Sequence, residues 1–260
     1  NILNGLTVKE AREKIVEILK ENGLIVKEEK IVHNVPVHDR CKTEIEIILT
    51  KEFYLKQMDF VDEIEKMAEK IKWHPEFHKQ KLINWINAVK KMNMDWPISR
   101  RRYYGTEIPI WYCENCGFTY LPEPGKYYRP WKEDPPIKKC PKCGSTKWRG
   151  EDRILDTWFD SSITLLFITK YWRNDDFFKK VFYKARKIRP QGYEIIRTWL
   201  YYSLLRIYQL LKERAFDDVL INGMGLDAKG RKMSKSLGNV IYPEEIINEI
   251  GADPLRIWIA

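Results

Sequence analysis

The 260-residue chain is 32% charged and 13% aromatic, which excludes a disordered or low-complexity protein and leaves room for one or two packed cores. Its 46 Lys and Arg against 37 Asp and Glu give a net charge of +9, which favours a polyanionic partner because basic contacts to phosphate release counterions. No apolar run approaches a membrane span and no signal peptide is visible, so the reading is a cytoplasmic chain with no membrane partner. The chain opens at Asn1 in mid-pattern and without Met, as an excised piece or a processed subunit would.

Thr7 and Glu10 have the spacing of a capping box, followed by a stripe of Val8, Ala11, Ile15, Ile18 and Leu19, with Gly23 as the stop. Residues 25–60 alternate in strand fashion through Ile31, Val32, Val35 and Val37 and then Ile45, Ile47 and Leu49. The intervening turn holds His38 and Cys41. With His33 these make no full ligand set, so a structural turn is the reading. Apolar residues three or four apart from Val61 to Ile71 and from Leu82 to Val89 predict two packing helices, broken at Trp73-His74-Pro75.

Arg100, Arg101 and Arg102 follow, flanked by aromatics. They suit RNA phosphates and a stacked terminal base, or equally a salt-bridged surface. Ile108–Tyr112 reads as a buried strand with Pro109 near its edge. Cys113-Glu-Asn-Cys116 and Cys140-Pro-Lys-Cys143 are separated by 23 residues, and each pair is followed by glycine. Two such knuckles arrange four thiolates tetrahedrally around Zn²⁺ and leave no open position for water, so the metal is structural. The Pro-, Lys- and Tyr-rich residues 121–139 read as a solvated insertion.

Trp158, amid Asp156, Asp160, Ser161 and Ser162, is a pocket wall or ordinary core, and residues 163–184 are apolar and aromatic without visible chemistry. The stretch Ile188–Trp199 is predicted to begin a helix that continues through Leu205 and Leu211. Gly192 allows a ligand close to the backbone, and Glu194 is placed to accept from ribose hydroxyls, or simply to complement the helix dipole. Phe216–Asn222 reads as a strand. Gly223-Met-Gly225-Leu-Asp-Ala228 fits a loose dinucleotide fingerprint but runs into a polar loop instead of an apolar helix, so its mechanism fails. That loop holds Lys232-Met233-Ser234-Lys235-Ser236 between Gly230 and Gly238. Two point charges and hydroxyl donors at a strand end suit a polyphosphate whose charge changes during transfer.

Taken together, KMSKSLGNV (Lys232–Val240), RPQGYEIIRTW (Arg189–Trp199), LDTWFDSSIT (Leu155–Thr164), DWPISRRRYYGTEIPIWYC (Asp95–Cys113), DRCKTEIEI (Asp39–Ile47), GADPLR (Gly251–Arg256) and the two knuckles resemble the valyl-tRNA synthetases, archaeal type, of the class I aminoacyl-tRNA synthetases. The resemblance runs from Gly5 to Ala260. It implies an α/β fold: the second half of a Rossmann-like nucleotide-binding domain with a zinc-ribbon insertion and the tail of an editing insertion. The implied parts are 1–50 as that tail, 51–112 as the return into the catalytic domain, 113–150 as the ribbon, 151–225 as the second half of the nucleotide fold, and 226–260 as the loop and the start of a stem-contact region.

The implied reaction joins valine to tRNA-Val through valyl-adenylate, with ATP and Mg²⁺. The resemblance assigns Lys232 and Lys235 to the leaving pyrophosphate, with Met233, Ser234 and Ser236 beside the nucleotide. Gly192 and Glu194 fall against the adenylate ribose, and Trp158 with Ile195 or Ile196 shapes the small valine pocket. Arg100–Arg102 fall to the tRNA. The HxGH signature of the class is not in this sequence, whose histidines are His33, His38, His74 and His78. The expectation is therefore a chain that cannot aminoacylate alone and needs a polypeptide supplying the HxGH half. Rival readings are an isoleucyl relative and a non-catalytic tRNA-binding zinc-ribbon module.

Overall fold

The computed structural model describes residues 2–38 and 41–259, which divide into two compact units, residues 1–49 and 50–260. In the first unit, helix α1 (Val8–Glu21) starts on the predicted capping box: the Thr7 hydroxyl accepts from the Glu10 amide, and the Glu10 carboxylate accepts from the Thr7 amide at 2.8 Å. Arg12 reaches Glu46 at 2.7 Å. The strands predicted across 25–49 do not form among the described residues, where Val37 and Glu44 make only an isolated antiparallel bridge. Strand propensity depends on a covered face. Here Val26, Val32 and Leu49 stay fully exposed, so alternation has nothing to pack against. The His38–Thr43 turn is closed by the His38 amide on the Thr43 carbonyl at 2.8 Å, and Cys41 Sγ lies 3.2 Å from His38 Nδ1. Asp39 and Arg40 of the DRCKTEIEI stretch lie outside the described residues.

In the second unit the chain runs through β1 (Tyr54–Leu55), α2 (Val61–Lys70), β2 (Lys72–His74) and α3 (Lys79–Met92), then β3 (Trp96–Pro97) and β4 (Ser99–Arg100). The two predicted helices are α2 and α3. The Trp73-His74-Pro75 break is a short strand, because Trp73 fills a buried position between them. Next come β5 (Trp111–Cys113), β6 (Thr119–Tyr120), β7 (Trp148–Gly150) and β8 (Ile154–Leu155), then α4 (Thr157–Ser161), α5 (Thr164–Ile168) and α6 (Asp175–Lys184). The strand expected at Ile108–Tyr112 is displaced toward the cysteine, and Pro109 falls outside it. The chain closes with β9 (Ile188–Gly192), α7 (Tyr201–Leu211), β10 (Asp218–Asn222), α8 (Pro243–Ile250) and α9 (Ala252–Ile259).

Strands β2, β10 and β9 form an all-parallel sheet in that order, with Asp218 opposite both Lys72 and Ile188. Helices α2, α3 and α7 bury Ile64, Leu82, Ile86, Leu204 and Leu205 completely, together with Val219 of β10. Full burial of each such side chain stabilises by about 1.5–3 kcal/mol. At the amino ends of the strands, the Asp218 carboxylate takes a fork from Arg186 at 2.6 and 2.7 Å and lies 3.0 Å from His74 Nε2. These partners, Arg186 first, hold its pKa well below the usual carboxylate range. The opposite, carboxyl ends of the strands are where open parallel sheets receive ligands.

A second network anchors the ribbon (β6-β5-β7) to the unit. Buried Glu151 accepts Arg153 at 2.7 Å and the Tyr112 hydroxyl at 2.7 Å, while Arg153 also reaches Glu52, which accepts Ser99 Oγ at 2.6 Å. Burial alone would raise the Glu151 carboxyl. The Arg153 and Tyr112 bonds outweigh it and hold the group at about 2.

Candidate active site at the carboxyl edge of the sheet

Strand β9 ends at Gly192 and passes through one tight turn (Tyr193–Ile195) into a π-helical stretch, Ile196–Leu200, before α7 begins. The helix predicted to begin within Ile188–Trp199 is instead strand β9 up to Gly192, paired along β10, and regular α-helix only from Tyr201. The wider π turn changes the angle at which the first residues leave the sheet. Gly192 has ordinary extended dihedrals (φ −73), so its small size matters here and not its flexibility. A Cβ there would lie 2.6 Å from Glu194 Oε2, because the Glu194 carboxylate folds back over the glycine.

Strand β10 ends at Asn222, and the chain continues through Gly223–Ala228 into the lysine loop with no helix, as the failed fingerprint predicts. Leu226 and Lys232 bridge in antiparallel fashion at the base of that loop. Its anchor is Asp227, whose carboxylate accepts the amides of Lys229 and Arg231, the Arg231 guanidinium and the Asn239 amide, all at 2.8–2.9 Å. The Asn239 bond foremost, then the others, hold the Asp227 carboxyl at about 2. Asn239 returns its oxygen to the Ser234 amide at 2.8 Å and its nitrogen to the Lys232 carbonyl at 3.2 Å. Ser234 and Ser236 hydroxyls pair at 2.8 Å, and Lys235 begins a single turn closed by Gly238 at φ +63. Sequence reasoning missed Asp227 and Asn239 as functional; the available signal was an Asp two residues ahead of Lys229-Gly230, the composition of an Asx-type turn.

The loop and the sheet edge meet through Lys232, whose Nζ lies 3.7 Å from Glu194 Oε1. The Met233 methyl group packs on Gly225, and Met233 lines an apolar cavity of about 910 Å³ with Leu226, Ile241, Ile250 and Trp258.

The other sequence-predicted residues are distributed as follows. Trp158 is half-buried on α4 against the core, and Trp199 of the π stretch donates its indole N–H to the Ser161 carbonyl of the same helix at 2.8 Å. Ile195 is half-buried, whereas Ile196 is wholly inside the core. Arg100 pairs with buried Asp156 and donates to the Pro97 and Ser99 carbonyls. Arg101 reaches Glu52 at 2.9 Å, and Arg102 is exposed.

Cys113, Cys116, Cys140 and Cys143 bring their four sulfurs within 4.8 Å of one another, the metal-capable group found among the described residues. Each knuckle repeats one geometry. The Gly117 amide bonds the Cys113 carbonyl and the Gly144 amide bonds that of Cys140, with both glycines at φ near +70. Cys113 Sγ is 3.5 Å from Cys143 Sγ, and Cys116 Sγ is 3.6 Å from Cys140 Sγ. Sulfurs placed tetrahedrally at zinc–sulfur bond length stand roughly 3.8 Å apart, so the set fits a divalent metal of that kind. Among the described residues, no helix is long and apolar enough to cross a membrane.

A family model described as tRNA synthetases class I (I, L, M and V) matches residues 5–260. The chain is 54% identical to the valine–tRNA ligase of Nanoarchaeum equitans over 259 residues, 99% of this chain and 34% of that protein. It is also 54% identical to the Aeropyrum pernix valine–tRNA ligase over 258 residues, 98% of this chain and 31% of that one. It thus spans about a third of the length of these curated relatives. Among solved structures, methionyl-tRNA synthetase of Mycobacterium tuberculosis bound by methionyl-adenylate superposes with a TM-score of 0.55 at 16% identity, covering 88% of this chain and 37% of that one, a likeness of fold. A parallel sheet carrying a KMSKS loop at its carboxyl edge, with that match, means that the chain belongs to the class I tRNA synthetases of the isoleucine, leucine, methionine and valine group, with archaeal valine–tRNA ligases among its relatives.

Proposed function

We propose that this chain is the KMSKS-bearing part of a valine–tRNA ligase and that Lys232, Lys235, Gly192 and Glu194 belong to its nucleotide site. The observation that carries the reading is the approach of Lys232 to Glu194 across the carboxyl edge of the sheet, in a chain 54% identical to such ligases. In the reaction, a valine carboxylate oxygen bonds to the α-phosphorus of ATP as the bond to the β-phosphate oxygen breaks, and pyrophosphate leaves. A hydroxyl of the terminal adenosine of tRNA-Val then takes the acyl group and AMP leaves. Neither step needs covalent help from protein, so placement and charge carry the catalysis.

Lys232 and Lys235 supply positive charge to the leaving pyrophosphate of Mg²⁺-bound ATP, and the paired hydroxyls of Ser234 and Ser236 donate beside them. Glu194 accepts from the ribose, and Gly192 lets the sugar approach the backbone. Trp158 and Ile195 border the valine pocket, with Ile196 behind them as a core residue. Arg101 and Arg102 are both exposed toward tRNA phosphate, Arg101 also reaching Glu52, while Arg100 is tied to Asp156 and supports the framework. The four cysteines hold structural zinc, which ties two loops together in place of a core. Residues 1–50 are assigned to the tail of an editing insertion, a reading supported by the unit boundary after Leu49. Residues 51–112 and 151–225 form the catalytic half-domain around the ribbon at 113–150, and 226–260 carry the loop and the start of the stem-contact region.

The proposed site is completed by an HxGH-bearing portion, whether joined to this sequence or supplied by a separate polypeptide. The test is ATP–pyrophosphate exchange with valine, isoleucine and threonine, on this chain alone and then mixed with such a portion. Valine-dependent exchange only on mixing is expected. Its absence in both cases, with metal and tRNA binding retained, would replace the proposal with a binding module.

A further inference from the structure

Helix α3 begins at the carboxyl end of β2 and lies against the 193–197 segment through two reciprocal contacts. Lys81 Nζ sits 3.6 Å over the Tyr193 ring, and the Arg197 guanidinium sits 5.8 Å over the Trp85 ring. Lys81 and Trp85 are four apart on α3, and Tyr193 and Arg197 are four apart on the facing segment, so each element offers one cation and one ring in register. Neither cation has a carboxylate within ion-pair distance among the described residues. The Lys81 ammonium is depressed below the ordinary lysine value, by burial first and by Arg197 second, with Glu194 opposing. A half-buried lysine repelled by an arginine and left without a counterion is costly. Its cost would fall if an anion occupied the space in front of it.

That space is the edge already described. Tyr193 is the residue between Gly192 and Glu194, and Glu194 lies 3.7 Å from Lys232 on the other side. One carboxylate is thus approached from the loop by Lys232 and felt from α3 by Lys81. We infer that Lys81 is a further nucleotide-binding residue, holding a phosphate oxygen of ATP from the α3 side while Lys232 and Lys235 hold phosphate from the loop side. Tyr193 acts as the rest that keeps the lysine stem in place without neutralising it, as an aromatic face does and a carboxylate would not. Arg197, pinned by Trp85, keeps the local potential positive. The inference rests on the nucleotide site proposed above and adds to it a residue from an element that no signature motif covers.

The experiment is equilibrium dialysis of radiolabelled ATP with this chain, alone and combined with an HxGH-bearing portion, for wild type, K81M and K81R, with thermal melts of each. One charge-assisted contact to phosphate predicts that K81M weakens ATP binding roughly 10- to 100-fold with an unchanged melt. K81R, which keeps the charge, stays within about threefold of wild type. The ATP affinity of K81M should also fall less steeply with salt than that of wild type. Equal ATP affinity in K81M and wild type overturns the inference. Equal loss in K81M and K81R overturns it too, because it would make Lys81 a packing residue, and so does an absence of ATP binding by wild type in either form. ATP binding that depends on Lys81 without valine-dependent exchange would keep this site and remove the valine assignment instead.

Discussion

Lys232 Nζ stands 3.7 Å from Glu194 Oε1, joining residues that are 38 positions apart in sequence, one in the turn after β9 and the other in the loop that follows β10. Both side chains are about half exposed, at 60% and 41%, so the pair is worth little to stability and is free to separate when a ligand enters. A nucleotide would take the lysine to its phosphates and the carboxylate to its ribose. K232A is therefore expected to lower the rate of valine-dependent pyrophosphate exchange by about 10²–10³, the usual cost of one preorganised charge contact. Its melting temperature should stay near that of wild type. A large drop in melting temperature would count against this reading.

Replacing Gly192 by alanine separates shape from stability. The backbone there accepts any residue, and the atom that a new Cβ meets is the flexible end of Glu194, at 2.6 Å. The fold should tolerate G192A while Glu194 swings away. A raised KM for ATP, with KM for valine little changed and an unaltered circular dichroism spectrum, is the expected result.

Asp227 is the internal strut of the lysine loop, with four bonds from Lys229, Arg231 and Asn239. D227A leaves those donors to water and should loosen residues 229–239 without disturbing the helical core. Trypsin cutting at Arg231, Lys232 and Lys235 should accelerate, and hydrogen exchange should rise in that segment alone. An unchanged cleavage rate would show that the loop is held elsewhere.

Glu151 predicts a pH dependence. Its carboxyl is held at about 2 against an ordinary 4.5. Its contribution is therefore complete above about pH 4.5 and is lost as the pH falls from there toward 2. The full effect is on the order of 3 kcal/mol. E151Q should flatten the acid limb of a urea-unfolding profile between those pH values. Equal slopes in E151Q and wild type would remove Glu151 from the account.

For the four cysteines, one divalent metal per chain is expected, and removal by a strong chelator should release four reactive thiols. The near-ultraviolet signal of Trp111 and Trp148, which flank the knuckles in β5 and β7, should change. The helical signal should persist, since the helices lie in the core below. Zinc bound by the C113S/C140S double variant with unchanged affinity would exclude this site.

Local spacing alone was enough for the features whose chemistry sits within a few residues. The turn within each CxxC knuckle and the Thr7–Glu10 box are closed by neighbours in sequence, the helices around Ile64 and Ile86 show in residues three and four apart, and the KMSKS string is recognisable by its own residues. A pattern of that kind survives whatever the remainder of the chain does. Tertiary structure decided everything that depends on who faces whom. The alternating residues of 31–49 had a strand pattern but no covered face, so among the described residues only the Val37–Glu44 bridge formed. Three consecutive arginines looked equivalent, yet Arg100 is tied to Asp156 and Arg101 to Glu52, each about 50 positions away, while Arg102 is exposed. Ile195 and Ile196 are adjacent, but one turn into the π stretch puts Ile196 wholly in the core. Lys81 carries no motif at all. It reaches Tyr193 only because parallel strands β2 and β9 bring their carboxyl ends to the same edge, and a parallel sheet gathers residues far apart in sequence that way.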